Sequence, residues 1–243
     1  DTSIYFDGTG DYLSIPNHSD WDSMIDNEWT IEFWIRFDDT GTHRIFSTDT
    51  DFKWLGFALY STNLKLYLGN GTSWESSTAG SATPAANTWH HIAIVRSGTY
   101  FKVYLNGTED ISVNDATNVS STSNIYIGRN HATADQFTGY LDEFRISNVA
   151  RYTSSFTPST SAFTEDGSTL LLIHSDTTNG STTFTDSSGT SEGLSTDSSG
   201  EGNHWTLNNI TPADQMLDSP TNNFATLNPL WMPSNATYAT GTL

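Results

Sequence analysis

Residues 87–107 read NTWHHIAIVRSGTYFKVYLNG and contain two apolar runs, 89–96 and 100–105, separated by a short Ser-Gly-Thr turn. In the second run, the apolar residues Phe101, Val103 and Leu105 occupy every second position. The positions between them are Tyr100, Lys102 and Tyr104, and such a period of two is typical of a β-strand. Asn106-Gly107 closes the run and is a strong signal for a type I′ turn, because both central residues of that turn need positive φ. The stretch therefore predicts two linked hairpins at the centre of an antiparallel β domain.

Similar short segments occur on both sides of this stretch. The clearest is 29–37, in which every second residue is a large apolar side chain. Further strands are predicted at 4–6, 12–15, 44–48, 53–60, 64–68, 125–129, 137–147 and 170–173. Residues 148–152 are expected to form at most one helical turn. Many short strands with no amphipathic helix predict an all-β fold, namely a two-sheet antiparallel sandwich or jelly roll.

The chain is strongly acidic, with 28 Asp and Glu against nine Lys and Arg among 243 residues and a net charge of −19. Nucleic acid and anionic membrane surfaces are therefore unfavourable partners, because like charges repel. The acidity suits cation binding, docking on a basic surface, or solubility alone. There is no cysteine for a disulfide framework, and no apolar run predicts insertion into a membrane. The start at Asp1 without Met is expected of a processed product or of an excerpt from a longer polypeptide.

The composition changes after Ser175. Residues 177–202 are almost entirely Ser, Thr, Gly, Asp and Asn, and the tetrapeptide Asp-Ser-Ser-Gly occurs twice in this segment. Such a segment buries too little apolar surface to offset the entropy of ordering it. We therefore expect a β-sandwich domain at 1–175, a linker at 176–203 and an extended arm at 204–243.

The arm carries apolar residues without strand or helix periodicity, and such residues favour contact with another surface. That surface is either the sandwich itself or a neighbouring subunit. The sequence favours the neighbour, which predicts a homo-oligomer. The residues predicted to make this subunit contact are Trp205, Leu207, Phe224, Leu227, Leu230 and Trp231.

Five motifs occur together in an order known from one family. They are FDGTGDYL at 6–13, WTIEFW at 29–34, WHHIA at 89–93, YLNG at 104–107 and GYLDEFRI at 139–146. In this combination residues 1–150 resemble the concanavalin A-like, laminin G-type domains. The resemblance implies two curved antiparallel sheets in a jelly roll, with the first and last strands adjacent.

The tail carries a second resemblance. Residues 197–205, DSSGEGNHW, and 218–229, DSPTNNFATLNP, are similar to segments that follow a laminin G-like domain in tailed-bacteriophage virion proteins. This implies a non-enzymatic virion structural protein, either a capsid decoration or a tail-fibre component, located in an extracellular particle among other virion proteins. The alternative is a carbohydrate-binding adhesin module that recognises host surface glycans.

Catalytic signatures are weak. Some jelly-roll glycoside hydrolases carry a Glu-x-Asp-x-x-Glu strand, and retaining hydrolysis needs two carboxylates about 5–5.5 Å apart. The strand carboxylates Glu32, Asp142 and Glu143 do not have that spacing, which argues against such an enzyme. The adjacent residues His90 and His91 are predicted to point to opposite faces of a strand and to be structural.

Asp142 is a candidate metal ligand. It shares strand parity with Tyr140, Phe144 and Ile146, so its carboxylate is predicted to point toward the core, where it needs a cation or several hydrogen bonds. In related jelly rolls the matching Asp ligates a structural calcium together with oxygens of the opening strand. The resemblance therefore implies calcium bound by Asp142 with Asp7 or nearby carbonyls, a ligand set that suits this ion. The alternative is hydrogen bonding of Asp142 to loop amides.

Four aromatic residues are predicted to point away from the apolar rows. Aromatic rings on an outer sheet face can stack on sugar rings, which would make a platform for host surface glycans. The alternative is that they fill space beneath loops or at a subunit contact, where Tyr and Trp are enriched. These residues are Trp34, Trp54, Tyr60 and Tyr67.

Overall fold

The computed structural model describes residues 2–17, 24, 28–48, 55–69, 74–116, 124–129, 135–174, 206–208 and 215–216. Within these residues the regular structure consists of β-strands, and no helix there is long and apolar enough to cross a membrane. The strands are β1 (Ser3–Asp7), β2 (Tyr12–Ile15), β3 (Trp29–Phe37), β4 (His43–Thr48), β5 (Leu55–Tyr60), β6 (Asn63–Gly69), β7 (Trp74–Ala79), β8 (Trp89–Ser97), β9 (Tyr100–Leu105), β10 (Thr108–Asn114), β11 (Ile125–Ile127), β12 (Thr138–Ser147), β13 (Thr169–Ile173), β14 (Thr206–Asn208) and β15 (Gln215–Met216).

The strands form two antiparallel sheets. Sheet A has the order β10-β9-β8-β3-β12-β1-β15, and sheet B has the order β14-β2-β11-β4-β5-β6-β7. β13 joins sheet A by pairing with residues 144–147 of β12, whereas β1 pairs with residues 138–141 of the same strand. The first strand thus lies against the last long strand, as the resemblance implies. The predicted all-β jelly-roll sandwich is confirmed.

The central hairpins form as predicted. β8 pairs with β9, and β9 pairs with β10 across the turn at Asn106-Gly107. Both turn residues have positive φ, 50° and 77° respectively, as a type I′ turn requires. The side-chain oxygen of Asn106 accepts a hydrogen bond from the His91 amide at 2.9 Å, which ties the turn to β8.

Aromatic side chains from both sheets meet in the core. Phe33 of β3 stacks on Phe144 of β12 with ring centroids 5.5 Å apart, and Phe57 of β5 contacts Phe33 from sheet B at 6.3 Å. All three side chains are fully buried. Burying one such side chain contributes about 1.5–3 kcal/mol. The alternating apolar residues of β3 therefore hold the two sheets together.

Residues 148–168 connect β12 to β13 without regular secondary structure, so the helical turn expected at 148–152 does not form. We call this stretch the covering segment. Its residues Tyr152 and Phe156 pack on outward side chains of β8 and β9, and Phe163 packs on Trp34 of β3. The outer face of sheet A is therefore largely buried beneath a further layer of apolar side chains.

Two short strands of the predicted arm pair with the sandwich of the same chain. β14 pairs with β2 at one edge of sheet B, and β15 pairs with β1 at one edge of sheet A. A strand at a sheet edge presents unpaired backbone groups. These two strands therefore cover one edge of each sheet, and part of the arm contacts the sandwich, the alternative that the sequence did not favour.

Candidate functional site

A buried ion network lies between sheet A and the covering segment. Glu32 of β3 is fully buried, and its Oε1 accepts hydrogen bonds from Nε and Nη2 of Arg145 at 3.0 and 2.6 Å. Its Oε2 accepts a hydrogen bond from the Tyr152 hydroxyl at 2.8 Å and lies 3.2 Å from Nε2 of His91. Both oxygens are thus satisfied, as burial of a carboxylate requires.

The electrostatics of this network favour a structural role. Burial alone would raise the pKa of Glu32, but the hydrogen bond with His91 and the charge of Arg145 outweigh it and lower that pKa. Burial and the adjacent Glu32 charge raise the pKa of Tyr152. Neither group is therefore suited to proton transfer near neutral pH, where a general acid or base needs a pKa close to the working value.

Arg151 and Asp166 tie the covering segment to itself. Nη1 and Nη2 of Arg151 donate hydrogen bonds to the two Asp166 oxygens at 2.9 and 2.8 Å, and its Nε donates to the Ser147 hydroxyl at 2.7 Å. The hydrogen bonds from Arg151 lower the pKa of Asp166. The ion pair thus joins the beginning of the covering segment to its end, and the hydrogen bond to Ser147 attaches it to β12 of sheet A.

Asp142 does not lie where the sequence predicted. The register between β3 and β12 shifts between Asp142 and Arg145, because Glu143 adopts a φ of 52° in a bulge. Asp142 therefore lies opposite Trp34 on the outer face of sheet A, not beside Phe144 in the core. It is buried there, and its Oδ1 accepts a hydrogen bond from the Glu143 amide at 2.9 Å.

Asp7 and Asp142 are not brought together. Asp7 pairs with Thr138, four positions along β12 from Asp142, which is about 13 Å of strand. The Asp7 Oδ1 accepts a hydrogen bond from the Thr9 amide at 2.6 Å within the β1–β2 turn. The described residues contain no group of three or more His, Cys, Asp or Glu placed to hold a metal ion. Calcium binding stays a prediction for which this structure shows no assembled ligand pair.

Trp34 lies beneath the covering segment, contrary to the prediction of an open aromatic face. It is 4% exposed and packs with Phe163, Leu172 and Trp89. Its ring also meets the His91 ring edge-on, with centroids 5.4 Å apart. Trp54 lies outside the described residues.

Tyr60 and Tyr67 do lie together, on the outer face of sheet B. Tyr60 is 43% exposed at the end of β5, whereas Tyr67 of β6 is 1% exposed. The Lys65 ammonium lies 4.8 and 5.1 Å from the centroids of these two rings, and the Arg44 guanidinium carbon lies 5.8 and 5.6 Å from them. We call the surface formed by these four residues the tyrosine–cation face.

Strand pairing explains this arrangement. Arg44 pairs with Ala58, and Ala58 pairs with Lys65, so the two cations lie in one row across β4, β5 and β6. The small Ala58 side chain between them leaves room for the tyrosine rings. Nη1 of Arg44 also donates a hydrogen bond to the Tyr67 hydroxyl at 3.1 Å. Cation–π contacts of this kind contribute about 0.5–1 kcal/mol at exposed positions.

A second group of the same type lies on sheet B, at β2 and β11. The Arg129 guanidinium carbon is 3.6 Å from the Tyr12 ring centroid and 5.3 Å from that of Tyr126. The Gly128 amide donates a hydrogen bond to the Ile45 carbonyl, which places Arg129 next to β4 and its Arg44. The sequence analysis did not single out this group, although the outward parity of Tyr12 in β2 was available as a signal.

Another aromatic row lies on sheet A, and the sequence analysis missed it too. Arg36 pairs with Trp89 and with Tyr140, and Tyr140 pairs with Tyr5. Burial and the neighbouring Asp38 raise the pKa of Tyr5 to about 12. The Tyr5 and Tyr140 rings are tilted by 43°, and those of Trp89 and Tyr140 by 61°. These half-buried rings pack on one another and do not offer a flat stacking surface.

The predicted contact residues of the arm are described only in part. Leu207 lies on β14, where its backbone pairs with Leu13 of β2. The predicted linker also lies outside the described residues. The other predicted contact residues also lie outside the described residues, namely Trp205, Phe224, Leu227, Leu230 and Trp231.

The strand order, the first-to-last strand pairing and the two packed sheets define a jelly-roll sandwich of the lectin-like kind. The sequence model of the concanavalin A-like lectin/glucanase superfamily matches residues 7–155, which is more than half of the chain. The chain therefore belongs to this superfamily, and the resemblance to laminin G-type domains is confirmed.

Solved structures that are similar to the chain have low sequence identity to it. A candidate carbohydrate-binding protein from Bacteroides ovatus matches with a TM-score of 0.55 and 15% identity, over 77% of this chain and 55% of that one. The heptameric SAP-like pentraxin of Limulus polyphemus matches with a TM-score of 0.48 and 20% identity, over 63% and 78% of the two chains. Domains LG4–5 of the mouse laminin alpha1 chain match with a TM-score of 0.48 and 14% identity, over 65% of this chain and 48% of that one. No curated protein sequence matches the chain.

Proposed function

We propose that this chain is a non-catalytic carbohydrate-binding domain whose binding surface is the tyrosine–cation face of sheet B. The observation that carries the proposal is the Tyr60 ring, which is exposed while it lies against both Lys65 and Arg44. A tyrosine ring gives contact area at low cost in conformational entropy. A sugar ring can place an apolar C–H face on it and direct its hydroxyls to the neighbouring cations.

Two observations support this choice of surface. Among the described residues the exposed large hydrophobic side chains are Tyr60 and Tyr100, and Tyr60 is the one with cations over its ring. The Bacteroides ovatus structure of the same fold is described as a candidate carbohydrate-binding protein, which is consistent with saccharide recognition on this scaffold.

The carboxylates of sheet A support a function without catalysis. Glu32 is neutralised by Arg145, and Glu143 accepts hydrogen bonds from the Phe163 amide at 2.6 Å and from His174 at 2.8 Å. Both carboxylates therefore serve to hold the covering segment. A glycosidase needs one carboxyl group free to donate a proton and another free to attack or to activate water.

A glycan array followed by calorimetric titration tests the proposal with three proteins. The wild-type chain is expected to bind a saccharide, and Tyr60→Ala to bind it at least about tenfold more weakly, because truncation of a central aromatic anchor is costly. Tyr100→Ala is the matched control, since Tyr100 is 46% exposed on the other sheet, and it should bind as the wild type does. An array without a bound saccharide overturns the proposal, as does a loss of binding with Tyr100→Ala that Tyr60→Ala does not share.

We propose the bacteriophage virion as the setting of this domain, with the arm as its attachment. The support is the resemblance of 197–205 and 218–229 to virion segments, together with the apolar residues Phe224, Leu227 and Trp231 beyond β15. Electron microscopy of purified particles tests this by copy number and position. Many copies on the shell indicate a capsid decoration, a few copies at the tail indicate a fibre, and absence from the particle overturns the proposal.

A further inference from the structure

The cations of this acidic chain differ in the partners that they contact. There are 28 carboxylates for nine Lys and Arg, so a cation without a carboxylate is not explained by a shortage of acids. On sheet A and the covering segment, Lys102, Arg145 and Arg151 each pair with a carboxylate at 2.6–2.8 Å. These three charges are neutralised within the fold.

Two cations of sheet B have partners of another kind. Lys65 and Arg129 contact tyrosine rings, and neither has a carboxylate at ion-pair distance in the part of the chain that the structure describes. The Arg129 Nε is also buried without a hydrogen-bond partner there. A cation that contacts aromatic rings keeps its charge, so Lys65 and Arg129 can still donate hydrogen bonds to an anion from outside the fold.

The arrangement also brings like charges together. Arg44 and Lys65 contact the same two rings, those of Tyr60 and Tyr67. Asp135 lies 3.6 Å from Arg44 and offsets one of these charges. The remaining positive charge favours a bound anion, because the repulsion between neighbouring cations falls when an anion lies between them.

We infer that the tyrosine–cation face, extended by Arg129, binds saccharides that carry carboxylate or sulfate groups; this rests on the proposed carbohydrate-binding function. The sugar ring stacks on Tyr60, and its anionic groups accept hydrogen bonds from Lys65 and Arg129. These cations lie on or next to β6 and β11, three strand spacings apart in sheet B, which is about 14 Å. The face therefore suits an oligosaccharide with more than one acidic group.

The net charge of the chain does not oppose this inference at contact distance. At physiological ionic strength, charges farther away than about 8–10 Å are largely screened. An anion on the face is therefore influenced mainly by Lys65, Arg44 and Arg129. The acidic remainder of the surface lowers the rate of approach more than it lowers the affinity of the bound state.

Two pairs of probes test the inference on the full chain by calorimetric titration. One pair is an oligogalacturonate and its fully methyl-esterified, neutral form; the other is an oligomeric dextran sulfate and the unmodified dextran. We expect at least one acidic probe to bind about tenfold or more tightly than its neutral partner. Binding of the uronate alone or of the sulfate alone identifies the anion, and either result supports the inference.

Charge variants assign the effect to the face. Lys65→Gln and Arg129→Gln are each expected to weaken binding of the acidic probe about tenfold. Lys65→Arg retains the positive charge and is expected to bind the probe as the wild type does. The matched control is Lys102→Gln, which removes the same charge from sheet A, where Lys102 pairs with Glu109, and it should leave binding unchanged. A melting curve shows that each variant is folded.

The two proposals fail in different ways. Equal affinity for acidic and neutral probes overturns the preference for acidic saccharides and leaves the carbohydrate-binding proposal in place. Acidic binding that Lys65→Gln and Arg129→Gln do not change also overturns the inference, because the anion is then bound elsewhere. Failure of every saccharide on the array to bind overturns both proposals.

Discussion

Glu32 and Arg145 form a hydrogen-bonded ion pair across 113 residues of sequence, at 3.0 and 2.6 Å, with the carboxylate fully buried. The pair joins the neighbouring strands β3 and β12. The Tyr152 hydroxyl donates a hydrogen bond to the same carboxylate at 2.8 Å. A single carboxylate therefore connects two strands of sheet A with the segment that covers them.

Replacing Glu32 with Gln is expected to lower the free energy of unfolding by about 3–5 kcal/mol, because it leaves the buried Arg145 without its counter-ion. Urea denaturation measures the loss. The matched control is Glu109→Gln, which breaks the more exposed pair with Lys102 and should cost no more than about 1 kcal/mol. Similar losses in the two variants would contradict a structural role for the buried pair.

The stability of the fold should decrease in acid. The pKa values of Asp166 and Glu32 are both lowered in the folded protein. A carboxyl group with a lowered pKa stabilises the fold above its unfolded pKa, roughly 4, and this contribution is lost as pH falls toward the folded value. We therefore expect the melting temperature to fall below about pH 4. Asp166→Asn should have a lower melting temperature than the wild type at pH 7, and its melting temperature should fall less between pH 4 and 2. If the melting temperatures of the two proteins fall in parallel with pH, Asp166 does not make this contribution.

Substitution of Gly107 with Ala should be more costly than substitution of Gly98. Both glycines have positive φ, 77° and 60°, and a side chain in that conformation costs about 1–2 kcal/mol. A Cβ at Gly107 would also collide with the Phe156 carbonyl oxygen, whereas no atom lies within 4 Å of a Cβ at Gly98. We expect Gly107→Ala to be about 1–3 kcal/mol less stable than Gly98→Ala. Equal stabilities in urea would show that the covering segment moves away without cost.

Removal of residues 204–243 is expected to increase self-association. The deletion removes β14 and β15 and leaves β2 and β1 as sheet edges, and uncovered edges pair with other chains. Light scattering after size-exclusion chromatography measures the molecular mass. Deletion of 217–243 keeps both strands and is the matched control. A smaller number of subunits per particle with either deletion would instead support attachment of the arm to a neighbouring subunit.

Chelation provides the test for calcium. Because Asp7 of β1 pairs with Thr138, four positions along β12 from Asp142, we expect EDTA to leave the melting temperature unchanged. A structural ion would stabilise the folded state by mass action, so added calcium would raise the melting temperature. A rise that Asp142→Asn abolishes would establish the predicted site.

The strands that the sequence predicted well are those that contribute side chains to the core. β3 is an example, since its alternating apolar residues Trp29, Phe33 and Phe37 are fully buried. β7 was missed, because it reads WESSTA and lacks continuous apolar alternation, and β10, which reads TEDISVN, was predicted only through the Asn106-Gly107 turn that precedes it. Both lie at a sheet edge, where a strand has one neighbour and less need for apolar side chains. Backbone pairing with that neighbour determines their structure.

The candidate site was predictable only in part. The outward parity of Tyr60 and Tyr67 was read from alternation, and the structure places both on the outer face of sheet B. For Asp142 the alternation failed, because the bulge at Glu143 reverses the direction of the preceding side chains. For Trp34 the direction was right, but parity alone cannot reveal that a segment more than a hundred residues later covers the face. Bulges and covering loops depend on tertiary contacts that a local pattern does not contain.

Because the covering segment buries much of the outer face of sheet A, the two sheets tolerate substitutions to different extents. On sheet A an outward residue of β3 or β8 is part of a packed interior, so substitutions there carry a penalty in folding. On sheet B, Tyr60 is exposed and Lys65 is partly exposed, so substitutions at these two positions carry a smaller penalty. Substitutions on the outer face of sheet B, where the proposed saccharide-binding surface lies, can therefore be tolerated while the packed layer over sheet A maintains stability.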